Sequence, residues 1–126
     1  MTDGTPETFS AVIGLEFTDR GEGWSRGEVT VSDELTNPNG VLHGGATYTM
    51  ADTGMAVALQ SELEPEERCA TIEIKISYLE PVTEGTVVCE TSLLRRGGSI
   101  AFLESEISHE DSVVARATGS FSIFTP

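Results

Sequence analysis

The stretch GVLHGGATYTMADTGMAVALQ, residues 40–60, is apolar or small on every side and carries one charged side chain, Asp52. A helix of that composition is normally covered all round. Burying an unpaired carboxylate in it costs on the order of several kcal/mol. Asp52 therefore implies hydrogen-bonding partners, an altered ionisation or a chemical task. A single flat sheet cannot cover such a helix. The sheet has to curl around it, and a second copy of the chain covers what remains. That is an α+β architecture, a long central helix wrapped by a curved antiparallel sheet.

The flanking patterns supply that sheet. Residues 15–18 and 24–31 read as strands joined by a turn at 19–23, and Asn37-Pro-Asn-Gly40 is a strong turn signal. The helix is expected from about residue 44 to 61. Strands follow at 71–78, 86–94, 100–107 and 113–124. In the first of these, Ile72, Ile74, Ile76 and Tyr78 alternate with Thr71, Glu73, Lys75 and Ser77. Arg95-Arg-Gly-Gly-Ser99 reads as a hairpin turn whose glycines supply positive φ, and His109-Glu-Asp111 as a surface turn. Residues 6–13 could form a short helix with Phe9, Val12 and Ile13 on one side, ended by Gly14; residues 1–12 otherwise read as a flexible lead. At 126 residues, the whole chain (1–126) is expected to be one domain.

Composition narrows the function. Acids outnumber bases 21 to 7, the net charge is −14, and Lys75 is the sole lysine. Nucleic acid is excluded as a natural partner, because phosphate backbones need a basic surface. No segment has the length and apolarity of a membrane span. The opening MTDGTPETFS lacks the basic start and apolar core of a secretory signal, so cytoplasmic residence is the default expectation. Cys69 and Cys89 form no metal-ligand spacing and read as reduced core residues, so no metal is expected.

The run Asn37-Pro-Asn-Gly-Val-Leu-His-Gly-Gly45, with Ala51-Asp52 a helical stretch later, resembles the hotdog-fold acyl-CoA thioesterases of the phenylacetic acid degradation (PaaI-like) type. The likeness extends through ISYLEP (76–81), RRGGSIAF (95–102) and VARATGS (114–120), and covers the chain in order from Ile13 to Phe124. The resemblance implies hydrolysis of acyl-CoA thioesters at subunit interfaces of a homodimer or homotetramer, with no cofactor beyond the CoA of the substrate. It places an oxyanion-binding role on the Gly44 amide and makes Asp52 nucleophile or general base. Thr71 matches a position that holds the water or the acid; Asn37 and His43 match positions that orient the thioester and the turn.

Each assignment has a plainer alternative in the residues themselves. Gly44 and Gly45 could simply permit close packing at a helix start, yet their N–H groups also lack intrahelical acceptors and lie at the positive end of the helix dipole. Asn37 could be only a turn-former, His43 only a cap, and Thr71 only a strand residue. Lys75, Arg95, Arg96 and, near the end of the chain, Arg116 are candidates for the CoA phosphates, with Gly45, Tyr78, Gly97, Gly98 and Ser99 as further substrate contacts; Arg95 and Arg96 could equally be solvated turn residues. Relatives of this type often carry a base after the hairpin glycine, where this chain has Gly98. Tyr48, Met50 and Met55 are candidates to line the acyl pocket. A hotdog dehydratase or hydratase would use a catalytic Asp–His pair placed for proton transfer at the acyl chain, a non-catalytic acyl-CoA-binding or sensing module would need an effector domain, and a purely structural oligomer would not need Asp52.

Gly44 and Asp52 are eight residues apart, about 12 Å along a straight helix at 1.5 Å per residue. An aspartate side chain does not bridge that distance, so both can serve one thioester only from different subunits.

The scattered acids also predict a salt-rich cytoplasm, since a Debye length of about 3 Å at 1 M removes their mutual repulsion. Thermal unfolding should occur at lower temperature in dilute buffer and recover in molar salt. A salt-independent melting curve would contradict this.

Overall fold

The computed structural model describes residues 8–126. Its elements are α1 (Phe9–Val12), β1 (Glu16–Gly21), β2 (Trp24–Thr30), a 3-10 turn (Asp33–Leu35), α2 (Gly44–Gln60), β3 (Arg68–Tyr78), β4 (Thr86–Arg96), β5 (Ile100–His109) and β6 (Ser112–Phe124). The strands form one antiparallel sheet in the order β1-β2-β4-β5-β6-β3, with α2 packed on one face. This is the hotdog architecture expected from the sequence.

Alternation along each strand sends one set of side chains toward α2. Val29, Val87, Leu103, Ile107 and Phe121 come from four strands and meet Met50, Met55 and Leu59 of the helix in a closed core. Beneath the helix runs a buried hydroxyl row. Ser25, Thr91 and Ser105 are cross-strand neighbours, the Thr91 and Ser105 hydroxyls lie 2.7 Å apart, and Ser25 donates to the Gly54 carbonyl at 2.8 Å. Gly54 is where the helix comes closest to the sheet. A Cβ there would lie 2.8 Å from Thr91 Oγ1, too close for any real side chain.

One sheet covers only one stripe of α2. Ala46, Thr47, Met50, Ala51, Gly54, Met55, Ala58 and Leu59 are buried, whereas Tyr48, Thr49, Asp52, Thr53, Ala56 and Val57 are only half-buried. The helix covered all round is thus not achieved within one protomer. The lone acid lies on the uncovered stripe, where desolvation is modest. On the same side β3 ends the sheet, with one backbone edge unpaired among the described residues. An open edge invites another strand.

Several expectations change in detail. The short N-terminal helix spans only Phe9–Val12, with Phe9 and Val12 exposed and Ile13 alone entering the core; Pro6 and Glu7 lie outside the described residues. β1 reaches Gly21, which shortens the expected turn after it. At the RRGGS turn neither glycine has positive φ; Gly97 is required because a Cβ would lie 2.6 Å from the Ile100 carbonyl oxygen. Positive φ occurs instead at Glu110 and Asp111 in the β5–β6 turn. His109 is not a solvated turn residue: its Nε2 is buried without a hydrogen-bond partner among the described residues, next to Gly85. No described helix is long and apolar enough to cross a membrane.

Candidate active site

The site is assembled at the start of α2. Asn37 shapes the turn before it, its Oδ1 accepting the N–H groups of Asn39 (2.9 Å) and Val41 (3.2 Å). The next residues are anchored from both sides, Leu42 N–H donating to Val82 O and His43 N–H to Leu35 O, each at 2.7 Å. His43 then caps the helix: its Nδ1 accepts the Gly45 N–H at 2.8 Å. An accepting Nδ1 leaves the hydrogen of a neutral imidazole on Nε2. Asn37 and His43 thus do the turn-forming and capping work that was their plainer reading, and Gly45's amide is engaged by His43.

That leaves Gly44. Among the described residues its N–H has no acceptor, at the positive end of a 17-residue helix. Its carbonyl receives the Tyr78 hydroxyl at 2.7 Å. Burial raises the pKa of that hydroxyl, and the neighbouring Tyr48 adds to the shift, so Tyr78 remains a protonated donor at neutral pH.

Two turns along the helix, Asp52 accepts a hydrogen bond from Thr71 Oγ1 at 2.7 Å. Strict alternation would have turned Thr71 away from the helix, with Glu73, Lys75 and Ser77. A β-bulge reverses it. Thr71 pairs with Phe121 and Glu73 with Ser120, so Ile72 has no partner and stands 52% exposed. One extra residue re-aims the next side chain, and Thr71 thereby joins Ile74 and Ile76 on the helix side. Nothing in the alternating pattern announced that insertion. Cys69, read only as a core residue, lies close enough for the Asp52 carboxylate to reinforce the upward pKa shift that burial gives its thiol. Cys89 is pushed up to about 11 by burial and is an inert core thiol.

The basic candidates are not brought to these groups within one protomer. Lys75 lies on the outer sheet face with Ser77, Glu104, Arg116 and Thr118. Arg96 pairs with the Glu67 carboxylate and donates to the carbonyls of Glu62, Gly97 and Gly98, tying the RRGGS turn to the segment after α2. Ser99 offers its carbonyl to Ile123 N–H. Arg95 is exposed opposite Phe102, and Gly98 has open space around it.

The expected acyl pocket also moves. Met50 and Met55 are fully buried and line no opening, because the sheet closes on that stripe. An apolar cleft of about 340 Å³ instead opens beside Gly44, between the helix start and residues 79–82. Leu42, Thr47, Tyr78, Pro81 and Val82 contribute to its walls.

Residues 39–116 match the family model described as the thioesterase superfamily. The chain belongs to the thioesterase superfamily. It is 26% identical over 98 residues to 1,4-dihydroxy-2-naphthoyl-CoA hydrolase of Listeria monocytogenes, covering 78% of this chain and 80% of that one. A conserved protein of Pseudomonas aeruginosa superposes with a TM-score of 0.90 at 29% identity, over 94% of this chain and 95% of that one. The PaaI protein of the E. coli phenylacetic acid degradation operon superposes with a TM-score of 0.84 at 22% identity, over 91% and 83%. The protein is thus a thioester hydrolase of that superfamily.

Thr71→Val keeps the side-chain shape and removes the donor to Asp52. Turnover of an acyl-CoA, followed as free thiol release, is expected to fall about tenfold, the scale of one lost hydrogen bond to a charged group; Thr71→Ser should retain most of it. Wild-type rates in the valine variant would remove Thr71 from the site.

Proposed function

We propose that this thioesterase hydrolyses acyl-CoA in sites shared by two protomers, with Gly44 N–H of one binding the thioester carbonyl oxygen and Asp52 of the other driving the attack. The observation that carries this reading is the opposed run of two helix–strand links. Along α2 the order is Gly44 then Asp52; along β3 it is Thr71 then Tyr78, and the hydrogen bonds join Tyr78 to Gly44 and Thr71 to Asp52. The midpoint of the first pair is Tyr48, and that of the second lies between Ile74 and Lys75. A two-fold axis through those midpoints sets Gly44 and Tyr78 of one copy against Asp52 and Thr71 of the other. Such an arrangement pairs the open β3 edges and covers both half-buried helix stripes. It also removes the separation of about 12 Å along the helix.

The chemistry follows from the groups so placed. Asp52 takes a proton from water as the water oxygen adds to the carbonyl carbon. The developing oxyanion is stabilised by the Gly44 N–H, a contribution worth about 10²–10³ in rate at comparable sites. Collapse of the tetrahedral intermediate breaks the C–S bond; the acid leaves free, and the CoA sulfur recovers the proton. In the direct route the carboxylate itself attacks the carbonyl carbon, the C–S bond breaks and CoA leaves as thiolate, and water then hydrolyses the mixed anhydride to free acid and Asp52, giving its proton to the thiolate. The apolar cleft beside Gly44 suits an aryl or medium-chain acyl group. Asn37 and His43 act through the helix start they build. The acidic surface supports work in a salt-rich cytoplasm, where screening lets the phosphates of CoA approach local bases such as Arg95.

Asp52→Ala is the direct test. With purified protein in high salt and a panel of acyl-CoAs, thiol release should fall by at least about 10², while acyl-CoA binding and assembly persist. Full activity in that variant would take Asp52 out of the reaction.

A further inference from the structure

The peptide unit that follows the proposed oxyanion donor is held at both ends. Its carbonyl, Gly44 O, receives the Tyr78 hydroxyl at 2.7 Å, and its N–H, on Gly45, is donated to His43 Nδ1 at 2.8 Å. The intrahelical bond expected of a first-turn carbonyl does not require Tyr78, so the tyrosine contact is additional to the helix ladder. The tyrosine ring also occupies the space beside residue 44. A Cβ there would stand 3.0 Å from Tyr78 Cζ, 3.1 Å from Oη and 3.2 Å from Cε1. Glycine at 44 is therefore the residue that lets the phenol reach its own carbonyl. Gly44 does not have positive φ, so conformational freedom alone does not account for it.

We propose that Tyr78 is a positioning residue, which fixes the 44–45 peptide; with the adjoining 43–44 peptide held at His43 O by the Ala46 N–H at 2.9 Å, this sets the direction of the Gly44 N–H. Its own hydroxyl hydrogen is spent on the Gly44 carbonyl, so it does not serve as a second donor to the substrate oxygen. Along with His43 it forms a clamp reaching from β3 to the helix start. The inference rests on the shared-site reading above, in which Gly44 N–H meets the thioester oxygen. Misdirecting a donor leaves substrate binding nearly unchanged and raises the barrier, because the bond it makes strengthens as charge develops on oxygen.

The test is steady-state kinetics with a good acyl-CoA substrate. Tyr78→Phe keeps the ring against Gly44 and removes only the hydroxyl. It should lower kcat about tenfold, about 1.4 kcal/mol of barrier, with KM within about twofold and little change in melting temperature. A double-mutant cycle supplies a second readout. Gly44→Ala should cost activity in the wild-type background and much less in Tyr78→Leu, where the ring no longer meets the new methyl group. Unchanged kcat in Tyr78→Phe, a loss confined to KM, or strict additivity of Gly44→Ala with Tyr78→Leu would overturn the proposal. Failure of the underlying reading is distinguishable in the same assay: it shows as an inert wild-type enzyme or a fully active Asp52→Ala.

Discussion

The depth at which α2 sits in the sheet governs everything that follows. Gly54 brings the helix backbone onto the hydroxyl row of Ser25, Thr91 and Ser105, closer than any side chain would permit. From that contact point the start and the middle of the helix lie within hydrogen-bond reach of β3. Tyr78 catches the start at Gly44, and Thr71 catches Asp52 two turns on. A helix standing an ångström further out would strain both links, and the donor and the acid would lose their fixed relation. The same seating leaves one helical stripe and one strand edge uncovered on the same side, where a second copy has most to gain.

Much of this was legible in the residues, and the gaps have identifiable causes. The lone acid in an apolar helix, the turn before it and the HGG start pointed to the candidate site, and the hairpin spacing to the antiparallel sheet. The inward aim of Thr71 was hidden because a bulge at Ile72 is a matter of strand pairing, which alternation within one strand does not encode. The fate of Met50 and Met55 depended on which stripe the sheet covers, and a helix apolar on all sides does not say. At Gly97 the pattern suggested positive φ, whereas the backbone needs room for the Ile100 carbonyl; both demands select glycine. His109 looked like a turn residue, but the β3–β4 connection folds over it at Gly85.

The charge distribution bears on how an acidic enzyme handles an anionic substrate. Among the described residues, three of the seven bases are held in ion pairs, Arg26 with Glu28, Arg96 with Glu67 and Arg116 with Glu106. On the outer face Glu90 stands directly opposite Glu106, a like-charge pair flanked by Arg26 and Arg116 in the same cross-strand row. Exposed pairs contribute only about 0–1 kcal/mol and fade with salt. Their repulsive counterparts fade as well, so high ionic strength costs the surface little and relieves its excess of acid.

The central claim is that one protomer supplies the donor and its partner the acid. Mixing Asp52→Ala subunits with Gly44→Pro subunits measures this directly, since proline removes the N–H at a position where a helix otherwise tolerates it. With each parent folded, assembled and inactive, half of randomly mixed dimers are hybrids holding one intact site of two, so roughly a quarter of wild-type thiol release should return. No recovery from folded, exchanging parents would show that each chain uses its own donor and acid, and the shared site would be wrong.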